Sequence, residues 1–165
     1  MKPQNLTWKK LTADELTRVY LDEMRRDFPP SELKPLSMIL NSEAAGMAHT
    51  WGVFAEDTLV SYLLMVRPAG CEVSQLDYFS VLPAYRSSGV GAKLLAALPA
   101  HEEGAKAILI EAECPEAELM SYAIDLRSMT QSRGSFVMHF VRYEQCSADA
   151  QAKAVAAAKA MQEAE

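Results

Sequence analysis

Arg86-Ser87-Ser88-Gly89-Val90-Gly91 constrains this chain more than any other stretch, because of what flanks it. Before it stands Leu76-Asp77-Tyr78-Phe79-Ser80-Val81, apolar, aromatic and β-branched, which reads as a strand. After it stands Ala92-Lys93-Leu94-Leu95-Ala96-Ala97-Leu98, made of strong helix formers. A strand, a glycine-bearing turn and a helix start together make an anion-binding device. Backbone N–H groups of a first helical turn lack intrahelical partners, and the helix dipole adds partial positive charge there. Glycine lets the main chain approach a phosphate with no side chain in the way. Two known phosphate loops do not fit. A P-loop needs Lys then Ser or Thr directly after its glycine, and here Gly91 is followed by Ala92-Lys93-Leu94. The dinucleotide fingerprint needs a third glycine where Leu94 stands.

The rest of the chain supplies a matching α/β order. Thr12 is the expected N-cap of a first helix, with Glu15 closing a capping box and Leu11 and Leu16 forming a hydrophobic staple. Leu16, Val19, Tyr20 and Met24 share a face, and Phe28-Pro29-Pro30 stops the helix. A second helix starts near Pro35, with Leu36, Ile39 and Leu40 inward. Residues 50–55 and 59–66 flank Glu56-Asp57-Thr58 as a β-hairpin. Arg67-Pro68-Ala69-Gly70 turns into a strand over 71–81. The helix after the glycine turn is expected to end before Pro99, and 105–113 forms a strand with Ile108-Leu109-Ile110 as a buried run.

Composition removes several classes. With 165 residues, half of them hydrophobic and 23% charged, the chain suits one domain with a real core. Its three cysteines show no C-x-x-C spacing, which argues against a disulfide framework or a metal site and fits a reducing cytoplasm. No run of about 18 apolar residues occurs, so no membrane partner is expected. A net charge of −6 argues against DNA and suits a cationic amine.

The spelling Arg-x-x-Gly-x-Gly after a strand ending Val81-Leu82-Pro83 resembles the acetyl-CoA pyrophosphate loop of the GNAT superfamily of N-acetyltransferases. The similarity runs through Leu76-Asp77-Tyr78-Phe79-Ser80-Val81-Leu82-Pro83-Ala84-Tyr85-Arg86, and Ser31-Glu32-Leu33-Lys34-Pro35-Leu36 is similar to that family's second helix. With a short first strand before Leu11, the resemblance covers about residues 5–116. It implies a mixed sheet flanked by helices, with acetyl-CoA as cosubstrate and a small-molecule or peptide amine as acceptor. By the same resemblance, the backbone at Phe79 and Val81 would bond the pantetheine arm where the fourth and fifth strands splay. The loop of Arg86, Ser87, Ser88, Gly89, Val90, Gly91 and Ala92 would hold the pyrophosphate. Asp77 and Glu111 rank as base candidates, and Tyr122 is the candidate acid.

Beyond Glu113 the chain changes character. Cys114-Pro115-Glu116-Ala117-Glu118-Leu119-Met120-Ser121-Tyr122-Ala123-Ile124-Asp125-Leu126-Arg127-Ser128-Met129 and the following Thr130 to Phe136 closely resemble the C-terminal end of translation elongation factor G. Phe140-Val141-Arg142-Tyr143-Glu144 and an alanine-rich end continue that match over about 111–165. The resemblance implies part of a ferredoxin-like domain: a helix over 115–132 broken by Gly134, a strand alternating through Phe136, Met138 and Phe140, and a terminal helix over 148–164 capped by Ser147 or Asp149. The division expected is an acetyl-CoA-binding portion at 1–116 and the elongation-factor-like segment at 117–165, completing the same domain or appended to it. The Tyr-x-x-x-Gly-Phe segment of intact acetyltransferases is missing. Two non-enzymatic readings therefore stand beside the enzyme: a cofactor-binding chimera, and a ribosome-associated module. His49, His101 and His139 are scattered, and read as solvent or structural histidines.

Overall fold

The computed structural model describes residues 5–114, 116–143, 151–152 and 155–156, with the backbone alone at 116–121. Five strands form one sheet in the order β1 (Leu6–Lys10), β2 (Ala48–Ala55), β3 (Thr58–Val66), β4 (Val73–Val81) and β5 (Ala107–Ile110). The first four pair antiparallel with their neighbours, and β5 runs parallel to β4. Helix α4 (Val90–His101) makes the crossover between them, because a parallel pair cannot be joined by a tight turn.

Helix α1 (Ala13–Val19) begins as its residues dictate. The Glu15 N–H donates to Thr12 Oγ1 at 3.3 Å, and the Thr12 N–H donates to Glu15 Oε2 at 2.9 Å. A π turn (Tyr20–Met24) then carries the chain into α2 (Arg25–Asp27), and Phe28 is extended where the prolines stop it. Helix α3 (Leu36–Ala44) starts after Pro35.

Strand β3 is buried along nearly its whole length because both faces are covered. Tyr62 and Leu64 pack with Leu16, Val19, Met24 and Ile39 under α1 and α3. Leu63 and Met65 pack on the opposite face with Val90, Leu94 and Leu98 of α4. This explains why β3 reads as a continuous apolar run rather than an alternating one. Gly52 in β2 sits where a Cβ would meet Leu11 Cδ2 at 2.5 Å and Phe54 Cε2 at 2.7 Å. Gly52→Val is therefore expected to lose about 1–3 kcal/mol through overpacking. Urea unfolding would measure it, and an unchanged midpoint would show that Leu11 and Phe54 give way freely.

Three expectations are corrected. Helix α4 does not end before Pro99 but continues through His101. Proline removes one internal hydrogen bond, and packing on both sides holds the last turn: Leu98 is buried and His101 stacks on Trp8 at 4.1 Å. The run Ile108-Leu109-Ile110 is not a buried run, since Leu109 is 54% and Ile110 43% exposed. Strand β5 is shorter than 105–113 and pairs on one side only among the described residues. The strand expected through Phe136, Met138 and Phe140 does not form. Residues 133–143 have no regular secondary structure, and those three side chains are exposed. Alternating residues make a strand only where a sheet edge accepts them.

Helix α5 (Glu116–Met129) forms as expected and stops before Gly134. The side chain of Leu119 lies outside the described residues. Of the terminal helix, Gln151, Ala152, Val155 and Ala156 are helical, and the remainder of 148–164 lies outside the described residues, as do Ser147 and Asp149.

Candidate active site

The site is opened by one extra residue in β4. Opposite β3, Leu64 pairs with Tyr78 and Met65 with Leu76, so Asp77 is bulged out of the ladder. An inserted residue reverses which face the following side chains take. Leu76 accordingly packs under α4, whereas Tyr78 packs on the other face with α1 and α3. The same point ends the pairing with β5, whose last register pair is Leu76 with Ile110. From Asp77 to Val81, β4 has no partner on its β5 side among the described residues.

The chain leaves this open half-strand through a 3-10 turn (Pro83–Tyr85) and enters the glycine turn. Ser87 has φ 57° and Gly89 φ 78°, and Gly89 is the N-cap of α4. A left-handed cap lets successive N–H groups converge. Among the described residues, no acceptor faces the N–H groups of residues 87–92. Six consecutive donors at a helix start suit a phosphate group. Gly91 lies against Phe79 and Val81, with its Cβ position 3.6 Å from Val81 Cγ2, so the helix start rests on β4. Lys93 stands exposed in the first turn, where a cation opposes the helix dipole and a bound anion would relieve it.

Beneath the loop lies an anchor that sequence reasoning missed. Asp27, its side chain only 6% exposed, accepts from Tyr62 Oη at 2.9 Å, Ser80 Oγ at 2.7 Å and Arg86 Nη2 at 3.0 Å. Burial pushes its carboxyl upward, but the hydrogen bonds from Ser80, Tyr62 and Arg86 outweigh that and hold it below the usual carboxylate range. Tyr62 is raised by burial first, then by its hydrogen bond to Asp27 and by the Asp27 charge. Arg86 also donates from Nε to the Val81 carbonyl at 2.8 Å. Its guanidinium thus straps the loop to β4 and α2. The nearest sequence signal was the adjacent prolines.

The remaining candidates are spread out. Asp77 sits at the bulge, and its Oδ2 is 2.6 Å from Lys34 Nζ. Phe79 and Val81 line the open half of β4, with the Val81 carbonyl already partly used by Arg86. Glu111 follows β5 and is exposed. Tyr122 lies on α5, and its ring meets Phe136 edge-on at 6.1 Å. No hydrogen bond or ring contact among the described residues joins Tyr122 to β4 or the loop.

A mixed sheet whose fourth and fifth strands part beside a glycine turn at a helix start defines an acetyltransferase-type α/β fold. The chain belongs to the acetyltransferase (GNAT) family, whose model matches residues 10–123. The model of the elongation factor G C-terminus matches residues 99–154, so the two overlap at 99–123. Elongation factor G of Rhodopirellula baltica is 46% identical over 57 residues. That stretch is 34% of this chain and spans only 8% of the elongation factor's length. A Bacteroides thetaiotaomicron protein assigned to the GNAT family superposes with a TM-score of 0.57 at 21% identity, covering 75% of this chain and 70% of its own. The aminoglycoside acetyltransferase AAC(6')-Iy, in complex with the bisubstrate analogue CoA-S-monomethyl-acetylneamine, superposes with a TM-score of 0.52 at 16% identity, covering 87% and 100%. No helix among the described residues is long and apolar enough to cross a membrane.

Proposed function

We propose that this chain is an acetyl-CoA-dependent N-acetyltransferase that moves an acetyl group to a primary amine of a small molecule or peptide in the cytoplasm. The observation that carries this reading is the run of six open N–H groups beside the unpaired half of β4. Residues 87–92 hold the pyrophosphate, and Phe79 and Val81 bond the pantetheine arm through their backbone. The cofactor-binding portion is 1–116, and 117–165 completes the same domain or is appended to it. In the reaction the amine nitrogen forms a C–N bond with the thioester carbonyl carbon. The C–S bond then breaks, and the amine's proton ends on the thiolate. A backbone N–H of β4 stabilises the oxyanion, because a fixed donor there costs no reorganisation. Asp77 serves as base once released from Lys34, with Glu111 the alternative. Calorimetry with CoA, then acetyl-CoA turnover with a panel of aminoglycosides and peptide amines, tests the assignment. Binding of neither CoA nor acetyl-CoA at millimolar concentration would refute it.

One observation favours a second reading, binding without efficient turnover: Tyr122 meets Phe136 rather than β4. A positioned general acid contributes about 10²–10⁴-fold. Tyr122→Phe is therefore expected to change kcat less than about threefold, since the acid it would supply is not delivered. A drop of a hundredfold would place this tyrosine in the reaction after all.

A further inference from the structure

The end of the sheet away from the glycine turn holds a cavity of about 310 Å³. It lies between the last residue of β1, the start of β2, the turn after β3 and the C-terminus of α4, and is lined by Lys10, His49, Trp51, Arg67, His101 and Glu102. Its volume falls at the lower end of the range for small-molecule sites. Helix α4 has twelve residues. At 1.5 Å per residue it separates this cavity from the glycine turn by about 18 Å.

The floor is built around a buried charge. Glu102, its side chain 1% exposed, accepts from His49 Nε2 at 2.7 Å, Trp51 Nε1 at 2.8 Å and Ser74 Oγ at 3.0 Å. Burial alone would raise its carboxyl, but bonds from Trp51 and His49, the His49 charge and the Ser74 bond together hold it below the usual range. Those partners occupy both carboxylate oxygens, so Glu102 fixes the wall and is not offered to a ligand. Its contact with His49 uses Nε2, so that ring nitrogen too is committed to the wall.

The open groups are mostly cationic. Lys10 and Arg67 have no carboxylate partner among the described residues. Arg67 gives one N–H to the backbone carbonyl of Glu103 at 3.0 Å, and its guanidinium has other donors to spare. The carboxylate of Glu103 is the single uncommitted acid at this rim. Trp51 offers a flat wall, T-shaped to His49 and inclined to His101. A cationic ligand is disfavoured, because Lys10 Nζ already lies 5.1 Å from the Trp51 ring centre.

We propose that this cavity is a second ligand site, which takes a small organic carboxylate with a planar apolar body. The carboxylate meets Arg67 and Lys10, drawing the Lys10 Nζ off the Trp51 ring, and the planar body takes its place on Trp51. The assignment is independent of acetyl transfer.

Both tryptophans of the chain stand here, since Trp8 stacks on His101 and lies 6.0 Å from Trp51. Their fluorescence, excited at the red edge, reads the site directly. Benzoate is the probe. Benzylamine has the same shape with the opposite charge, and inorganic phosphate has charge without the ring. Saturable quenching by benzoate is expected, weakened at least tenfold in Lys10→Ala and Arg67→Ala and unchanged in Gly89→Glu. These two replacements are on partly or fully exposed side chains, and circular dichroism checks that each variant folds. Benzoate binding that survives both replacements, stronger binding of benzylamine, equal binding of phosphate, or no benzoate binding at millimolar concentration each overturns the proposal.

Discussion

Gly89→Glu is expected to weaken CoA binding at least a hundredfold while leaving a folded protein. The position tolerates volume: a Cβ there meets nothing within 4 Å. It resists a side chain only through its backbone, with φ at +78°, a strain of roughly 1–2 kcal/mol for an L-residue. For a domain of this size that is a fall in Tm of several degrees. The larger effect is chemical. A carboxylate at the N-cap takes the open N–H groups for itself and repels an incoming pyrophosphate. A hydrogen bond to a charged group contributes about 1.5–3 kcal/mol, so losing two already exceeds a hundredfold. Gly89→Ala separates the causes, carrying the strain without the charge, and should bind within tenfold of the parent. Calorimetry on the three proteins decides it. Equal CoA affinity in Gly89→Glu would remove the phosphate loop from the functional reading.

Asp27→Ala is expected to be as damaging to stability as truncating a core leucine. It strands two hydroxyls and one guanidinium that now share a buried carboxylate. Removing one partner of a buried, hydrogen-bonded charge costs about 3–5 kcal/mol when both sides are enclosed. Arg86 is half exposed and recovers part of that in water. About 2–4 kcal/mol is therefore the expected loss in urea unfolding. The pH dependence has a definite sign. A carboxyl held below its unfolded value contributes stability above about pH 4. That contribution fades as pH falls through the lower folded value. The gap between parent and Asp27→Asn should accordingly narrow below about pH 4. A loss under 0.5 kcal/mol at pH 7, or a gap indifferent to acid, would show that the network is not an anchor. CoA affinity should fall together with stability, because Arg86 holds the loop through this acid.

The elements governed by near neighbours were legible in the chain. Thr12 and Glu15 are three residues apart, and their capping box needs nothing distant. The glycine turn was equally plain, since its strand, bend and helix are contiguous. What escaped reading depends on partners far along the chain. The Asp77 bulge exists only in the register of β4 against β3. Asp27 reaches Arg86 across 59 positions, with no local pattern to announce it. His49 and Glu102, 53 apart, looked scattered until the fold joined them. Pro99 misled in the other direction: a local helix-breaking rule was outweighed by the packing of Leu98 and His101. The strand expected through Phe136 failed because alternation supplies a face but not a neighbour.

Strand β5 gives the molecule a side that is chemically unfinished. Its outer row of peptide groups is unpaired among the described residues, and Leu109 and Ile110 stand beside it in water. Lysine, proline or extra twist usually guards such a rim against further strands, and Ala107-Ile108-Leu109-Ile110 carries neither lysine nor proline. Four residues at one margin of the sheet thus combine open peptide groups with exposed apolar side chains, the pattern that invites a further strand. A lysine at Leu109, which is not among the residues lining the cavity, would place a charge on that margin.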